Sequence, residues 1–234
     1  WRAEPVEDIS TVLYPVDAGY EGKQQRLKQQ YFLVSCALQD MVRMHLNAGH
    51  ELSSLPERVT LQLNDTDTIL AIPELIRLLM DKYNLEWEAA WQVTERTFAY
   101  TNHSLLPEAL DFQHYPLWLM QRLLPRHLDI IFDLNGRFLE QVRAAQPKDE
   151  ALVSQVSLIE EQGERYVRIA NLACLGSYSI NGVSALHTDL LKRKLLPAFY
   201  NCFPEKFTAQ TNGVSQRRFL KVAKIGRASC RERV

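Results

Sequence analysis

Two stretches decide the fold class: "RVTLQLND" at residues 58–65 and "TFAYTNH" at residues 97–103. In the first, apolar and polar residues alternate, which is the period of a β-strand. The second predicts another strand over residues 98–102. Each strand runs directly into polar side chains, residues 64–67 after the first and residues 101–103 after the second. Both strands therefore end in groups that can hold a ligand.

Helical patterns separate and follow these strands. Apolar residues recur every three or four positions over residues 21–46, and Gly49 stands where a helix stop belongs. Pro73 is placed to open a helix at its first turn. Pro125 separates a short helix from a long one, and a third strand is expected within "YVRIANLACLGS", residues 166–177. Strands alternating with helices predict an α/β fold with a largely parallel sheet.

In such a sheet, ligands bind beyond the carboxyl ends of the strands, where both polar clusters are predicted to lie. Asp65 and Asp67 in "NDTDT" are read either as a capped turn or as a metal and nucleotide-sugar pair. His103 is read either as a residue that satisfies backbone groups or as a substrate ligand. The residues alone leave both alternatives open.

Composition excludes several classes of protein. The 234 residues contain no apolar run long enough to span a membrane, and the N-terminus lacks the pattern of a signal peptide. The four cysteines are far apart and lack CxxC spacing, so we expect buried, reduced thiols and neither a zinc site nor a disulfide framework. Formal net charge is −1, which argues against a general polyanion binder.

The last eleven residues, "KIGRASCRERV" at residues 224–234, resemble a translated sequencing adapter. They carry four basic residues and one acidic residue, so the net charge without them is −4. We exclude them from the fold prediction and expect the chain to be truncated at both ends.

Other motifs are weak. No HExxH, GxSxG, GxGxxG or Walker loop occurs, so a metalloprotease, a serine hydrolase or a P-loop enzyme has no direct support. His187 lies on an otherwise apolar helical face and is predicted to be structural. The segment "QTNGVSQRRFLK" at residues 210–221 could form a turn and a basic recognition helix, but two adjacent arginines are weak evidence for a DNA-binding protein.

An ordered series of segments resembles the α-glucan (glycogen, maltodextrin or starch) phosphorylase family over about residues 9–223. The series is "STVLYP", "RLKQQYF", "LQLNDT…LAIPEL", "AYTNHSLLPEAL", "LLPRHLDII", "NGVSALHTDLL" and "TNGVSQRRFL". The resemblance implies a GT-B fold, of which residues 1–205 are part of the N-terminal Rossmann-like lobe. Residues 206–223 would then begin the crossover to a C-terminal lobe that this chain lacks.

The resemblance also implies an activity, namely reversible phosphorolysis of α-1,4-glucans with release of glucose 1-phosphate. The implied cofactor is pyridoxal 5'-phosphate, bound by the C-terminal lobe, so the chain alone is expected to be inactive. A cytoplasmic homodimer is expected for the full-length enzyme, with glucan and phosphate as partners and no nucleic acid or membrane. The alternative is a phosphorylase-like protein that binds glucan without turning it over.

By the same resemblance, His103 matches the histidine that binds the glucosyl 6-hydroxyl, and Asn212 completes the hydroxyl contacts. Asp65 and Asp111 match acidic groups beside the sugar, while Thr101 and Asn102 shape the loop that carries His103. No metal ligand is implied.

The segment "YPVDAGYEG" at residues 14–22 matches a gate loop with Asp17 at its acidic position. Ala18 and Asp67 depart from the family, which commonly has Asn and His there, and Ala18 cannot make the contact to the sugar 2-hydroxyl that an amide provides.

Overall fold

The computed structural model describes residues 8–11, 19–105 and 115–222, and elements are numbered here in chain order within those ranges. The strands are β1 (Leu61–Asn64), β2 (Phe98–Thr101), β3 (Tyr115–Pro116), β4 (Ile159–Glu160), β5 (Tyr166–Val167), β6 (Ser179–Gly182) and β7 (Phe207–Ala209). The helices are α1 (Asp8–Thr11), α2 (Tyr20–Asn47), α3 (Leu55–Arg58), α4 (Ala71–Arg77), α5 (Trp87–Thr97), α6 (Leu117–Leu123), α7 (Pro125–Ala145), α8 (Glu150–Val156), α9 (Ile169–Leu175), α10 (Ala185–Leu190), α11 (Pro197–Cys202) and α12 (Gln216–Val222). Short 3-10 turns occupy Leu52–Ser54 and Pro204–Lys206, and π-helical turns extend α4 over Leu78–Lys82 and α10 over Leu191–Leu195.

The main sheet of the described chain has four parallel strands in the order β1-β2-β6-β7. β1 lies beside β2 with Leu61 opposite Phe98 and Asn64 opposite Thr101. Parallel neighbours cannot be joined by a tight hairpin, so longer crossover segments connect them, and these contain the helices. All four positions of β2 are buried, as expected for a central strand. The predicted α/β class with a parallel sheet is confirmed.

Helix α2 confirms the helix predicted over residues 21–46. It buries the apolar stripe formed by Leu27, Val34, Leu38 and Val42 and exposes much of its other side. Gly49 follows with a φ of 80°, and its N–H donates to the Leu46 carbonyl at 2.9 Å, which ends the helix as predicted. Although α2 has 28 residues, neither it nor any other described helix is apolar enough over a sufficient length to cross a bilayer.

Helix α7 confirms the long helix predicted after Pro125, which is its first residue. Its predicted apolar side is buried, at Ile131, Leu134, Phe138 and Val142. The chain before it forms α6, so the proline separates a short helix from a long one, as the sequence indicates. Together α2, α4 and α7 build a helical layer whose buried faces share one hydrophobic core.

The predicted position of the third strand, within residues 166–177, was wrong. Tyr166–Val167 belongs to a small antiparallel sheet with the order β3-β5-β4, and Ile169–Leu175 is helix α9. Every residue of α9 except Asn171 is buried, so its mostly apolar sequence shows neither helical nor strand periodicity. The third strand of the main sheet is β6, whose Asn181 and Gly182 are typical of turns and concealed it. The sequence reading also missed β7.

A buried carboxylate, Glu74 of α4, joins three helices. Ser35 of α2 donates to its Oε1 at 2.7 Å, and Nε2 of His127 in α7 lies 2.7 Å from its Oε2. Arg77 donates to both oxygens, at 2.9 and 2.7 Å. Burial alone would raise the pKa of the Glu74 carboxyl, but the hydrogen bonds outweigh burial and lower the pKa to about 2. Glu74 is thus a fully paired interior anion.

The expectation of buried thiols holds for Cys174 but not for Cys36. Cys174 is buried in α9, and burial raises the pKa of its thiol to about 12. Cys36 is exposed because it lies on the solvent side of α2, and Cys202 is partly buried. These three cysteines are free, and Cys230 lies outside the described residues.

Replacing Glu74 by Gln removes the charge that His127 and Arg77 share, and should lower the free energy of unfolding at pH 7 by about 3 kcal/mol. The pKa of Glu74 is lower in the folded chain than in the unfolded one. The carboxylate therefore stabilises the fold above its unfolded pKa of 4.5, and this contribution is lost as the pH falls towards about 2. Urea unfolding measured from pH 7 to pH 3 should show a larger loss of stability in acid for the wild type than for Glu74→Gln, in which the other carboxylates with lowered pKa values remain.

Glu88→Gln is the matched control, because Glu88 is an exposed carboxylate that pairs with Arg137 at 3.0 Å on the surface. It should change the free energy of unfolding by about 0.5 kcal/mol or less. Equal losses in the two variants would contradict the view that the buried charge stabilises the helical layer.

Gly182→Ala should destabilise the chain by about 1–3 kcal/mol, because it overpacks a tight contact. The added methyl would lie 2.5 Å from Thr188 Oγ1 and 2.6 Å from His187 Nδ1. Gly136→Ala, in the interior of α7 with open space around it, should instead stabilise by up to about 1 kcal/mol through helix propensity. Thermal unfolding of both variants tests this contrast, and shifts of the same sign would contradict it.

Candidate functional site

The carboxyl edge of the main sheet brings Asp65 and His103 together. Asp65 directly follows β1, and His103 comes two residues after β2. The Asp65 N–H donates to the Thr101 carbonyl at 3.0 Å, which continues the parallel pairing beyond the strands. Oδ1 of Asp65 then lies 3.0 Å from Nδ1 of His103. Both side chains are about half exposed, at 54% and 42%, so the pair faces the solvent.

This contact determines which hydrogen bond the His103 ring can make to a ligand. With Nδ1 donating its hydrogen to the Asp65 carboxylate, a neutral ring leaves Nε2 as an acceptor, and a protonated ring makes it a donor. An exposed imidazole that is oriented by a carboxylate can hold a hydroxyl group in a defined direction. The arrangement therefore suits recognition of a hydroxyl-bearing ligand.

Asp67, the other acid of "NDTDT", has different neighbours. Its Oδ1 accepts from Nε2 of Gln30 at 2.8 Å and from Nη2 of Arg26 at 3.2 Å, both on α2. Asp65 has a φ of 53°, so the loop turns sharply between the two carboxylates. The geometry therefore gives no support to a paired metal site, and among the described residues no group of three His, Cys, Asp or Glu side chains could hold a metal ion.

Thr101 is buried below the pair and is held between two strands. Its Oγ1 accepts from Nε2 of Gln62 in β1 at 2.7 Å and donates to Oδ1 of Asn181 in β6 at 2.7 Å. This chain of side-chain hydrogen bonds crosses β1, β2 and β6 at their carboxyl ends. Thr101 thus stabilises the carboxyl edge of the sheet from its buried side, and its hydroxyl makes hydrogen bonds within the protein.

Asn102 is also buried, and it fixes the start of the loop that carries His103. Its Nδ2 donates to the Tyr100 hydroxyl at 3.1 Å, and its Oδ1 accepts from the Ser104 N–H at 3.0 Å. The Asn102 side chain therefore links Tyr100, which precedes His103 in the sequence, to Ser104, which follows it. Burial raises the pKa of the Tyr100 hydroxyl, so Tyr100 stays a neutral partner.

His187 of α10 supports the same loop, which agrees with the structural interpretation. Its Nδ1 accepts from the Val183 N–H at 3.3 Å, and its Nε2 lies 3.3 Å from the Ser104 carbonyl. A neutral ring with its hydrogen on Nε2 satisfies both contacts. The side chain is buried, so His187 supports the loop from inside the protein and does not face the solvent at the carboxyl edge.

Asn212 lies three residues beyond β7, past the same end of the sheet. Its N–H donates to the Val183 carbonyl at 3.1 Å, and the Gln210 N–H donates to the Gly182 carbonyl at 3.0 Å. The side chain of Asn212 is exposed. The backbone therefore holds this residue beside the segment that follows β6.

Three predicted positions, Asp17, Ala18 and Asp111, lie outside the described residues. Four residues that support the site were not predicted from the sequence: Gln62, Asn181, Arg26 and Gln30. The alternation in "RVTLQLND" already places Gln62 opposite the apolar face, which is a usable signal. No comparable signal marks the two α2 residues, because their partner is 37 or more positions away.

Lys206 is the described lysine whose pKa is clearly shifted, and its ammonium group is engaged within the fold. Burial lowers the pKa of Lys206, but its Nζ donates to the Leu175 carbonyl at 3.1 Å and lies over the Phe203 ring at 4.5 Å. It therefore caps helix α9. Lys206 therefore offers no free amine to pyridoxal 5'-phosphate, the cofactor that the resemblance implies.

Comparison with known proteins agrees with the fold and with the motifs. A family described as carbohydrate phosphorylase matches residues 2–231. A glycogen phosphorylase of Synechocystis is 50% identical over 214 residues, which cover 92% of this chain and 25% of the relative.

The liver form of glycogen phosphorylase from Homo sapiens is 44% identical over 230 residues, and the muscle form from Ovis aries is 45% identical over 230 residues. In both cases the match covers 95% of this chain and 27% of the relative. The chain thus spans about a quarter of the length of these relatives. The chain belongs to the carbohydrate phosphorylase family.

Proposed function

We propose that this chain forms one wall of the glucosyl pocket of an α-1,4-glucan phosphorylase. The reaction is the reversible phosphorolysis of α-1,4-glucans, with release of glucose 1-phosphate. The observation that carries the proposal is the solvent-facing pair of Asp65 and His103, 3.0 Å apart at the carboxyl edge of a parallel sheet. The curated relatives, each named a glycogen phosphorylase, support the choice of substrate.

In this proposal His103 holds the 6-hydroxyl of the glucosyl unit through Nε2, while Asp65 keeps Nδ1 engaged. The His103 backbone carbonyl faces the sugar and stabilises the positive charge that develops during bond cleavage. Thr101 and Asn102, both buried, contribute by fixing the loop on which that carbonyl lies. The contribution of these two residues to binding is thus indirect.

Other residues of the pocket are proposed from the resemblance. Asn212 completes the contacts to the 6- and 4-hydroxyls, and its backbone is anchored to Val183 at 3.1 Å. Asp111 lies beside the sugar, and Asp17 belongs to a gate over the entrance.

The rest of the enzyme lies outside this chain in the proposal. Residues 1–205 belong to the N-terminal lobe and residues 206–223 begin the crossover, although β7 already shares the main sheet. A C-terminal lobe would hold pyridoxal 5'-phosphate, whose phosphate group would supply acid–base chemistry next to the substrate phosphate. The complete enzyme is a cytoplasmic homodimer, and the isolated chain is inactive because it lacks half of the cleft.

In the complete enzyme, His103→Ala should lower kcat/KM for phosphorolysis by about 100-fold or more, because it removes a contact beside the developing charge. The absorbance of the bound cofactor should be unchanged, since the substitution lies in the other lobe. Release of glucose 1-phosphate from maltoheptaose and phosphate measures the effect.

His50→Ala is the control, because His50 lies in the turn after α2, about 30 Å along that helix from the loop contact at Arg26. It should keep wild-type turnover. Normal turnover in His103→Ala would remove His103 from the pocket. A wild-type enzyme that binds maltoheptaose but releases no glucose 1-phosphate would instead favour a glucan-binding protein without catalysis.

A further inference from the structure

The loop between β1 and α4 carries Asp65 in a backbone conformation that needs support. Its φ of 53° lies in the left-handed region, which is uncommon for a residue with a side chain. On the sheet side, the Asp65 N–H is held by the Thr101 carbonyl at 3.0 Å. One backbone contact leaves the direction of the carboxylate dependent on the remainder of the loop.

Helix α2 provides a second anchor through Asp67. Its Oδ1 accepts from Gln30 at 2.8 Å and from Arg26 at 3.2 Å. Gln30 is only 8% exposed, and its Oε1 has no hydrogen-bond partner among the described residues. Its hydrogen bond to Asp67 is therefore the polar contact that holds this buried amide in place.

The anchor is rigid because α2 is fixed to the core on the same side. Leu27, which lies between the two anchoring residues, and Val34, one turn after Gln30, are buried. Ser35, five residues after Gln30, donates to the buried Glu74 carboxylate at 2.7 Å. An Asp67 side chain that is one-third exposed thus meets a helix that cannot easily move.

We propose that Arg26, Gln30 and Asp67 are positioning residues that aim the Asp65 carboxylate at His103 and so set the orientation of the imidazole towards the sugar. This inference rests on the proposed function and extends it to residues that touch no substrate. Asp67 acts through Asp65, two positions away in the same loop, and Asp65 acts through its 3.0 Å contact with His103.

A double-mutant cycle in the complete enzyme tests the inference. Asp67→Ala should lower kcat/KM for phosphorolysis of maltoheptaose by about tenfold, since small misplacements of a catalytic group have effects of this size or larger. Asp65→Ala should lower it further. The double variant should match Asp65→Ala alone, because Asp67 has nothing left to position.

Asp81→Ala is the matched control. Asp81 has the same side-chain exposure as Asp67, 34%, and also pairs with an arginine, Arg126 at 2.7 Å. That pair joins the π-helical turn at the end of α4 to α7, and its two hydrogen bonds do not involve the loop. Asp81→Ala should leave kcat/KM unchanged in both the wild-type and the Asp65→Ala background.

Losses from Asp67→Ala and Asp65→Ala that multiply in the double variant would overturn the inference, because they would show that Asp67 acts only on stability or by a separate route. If Asp67→Ala does not fold, as judged by thermal unfolding, Asp67→Asn takes its place in the cycle with the same criterion. A wild-type enzyme without phosphorolysis would contradict the proposed function itself. An active wild type with multiplying losses would contradict the positioning role alone.

Discussion

The parallel register between β1 and β2 is the constraint on which the candidate site depends. Asn64 lies opposite Thr101, so the residues that follow each strand emerge side by side at one edge. A slip of one residue would reverse the facing of every side chain on the strand and separate the two polar clusters. The hydrogen bonds from Gln62 to Thr101 and from Thr101 to Asn181 hold that register at the edge itself.

Helix α2 connects this edge to the interior of the chain. Near its beginning it meets the loop after β1 through Arg26 and Gln30, and further along it meets the buried Glu74 through Ser35. The lowered pKa of Glu74 means that this interior anion stays charged at neutral pH, so its partners remain engaged. Helix α2 therefore contributes Ser35 to the polar cluster that stabilises the helical layer, and Arg26 and Gln30 to the loop that orients the site.

The sequence predicts much of this architecture because local periodicity and turn residues are strong signals. The alternation before Asp65, the amphipathic stripe of α2 and the proline that begins α7 all led to correct elements. β6 was missed because it ends in Asn181 and Gly182, which are typical of turns, and β7 has only three residues. The meeting of Asp65 and His103 followed from the strand ends, whereas the contacts of α2 with Asp67 come from tertiary packing that no local pattern encodes.

The most direct test of the proposal that this chain forms one wall of the glucosyl pocket is a crystal structure of the complete enzyme with a bound maltooligosaccharide. We expect Nε2 of His103 within hydrogen-bond distance of a glucosyl hydroxyl, with Nδ1 still engaged by Asp65 and Arg26 still contacting the loop. A sugar bound away from the carboxyl edge of the main sheet, with His103 facing solvent, would contradict this account of the site.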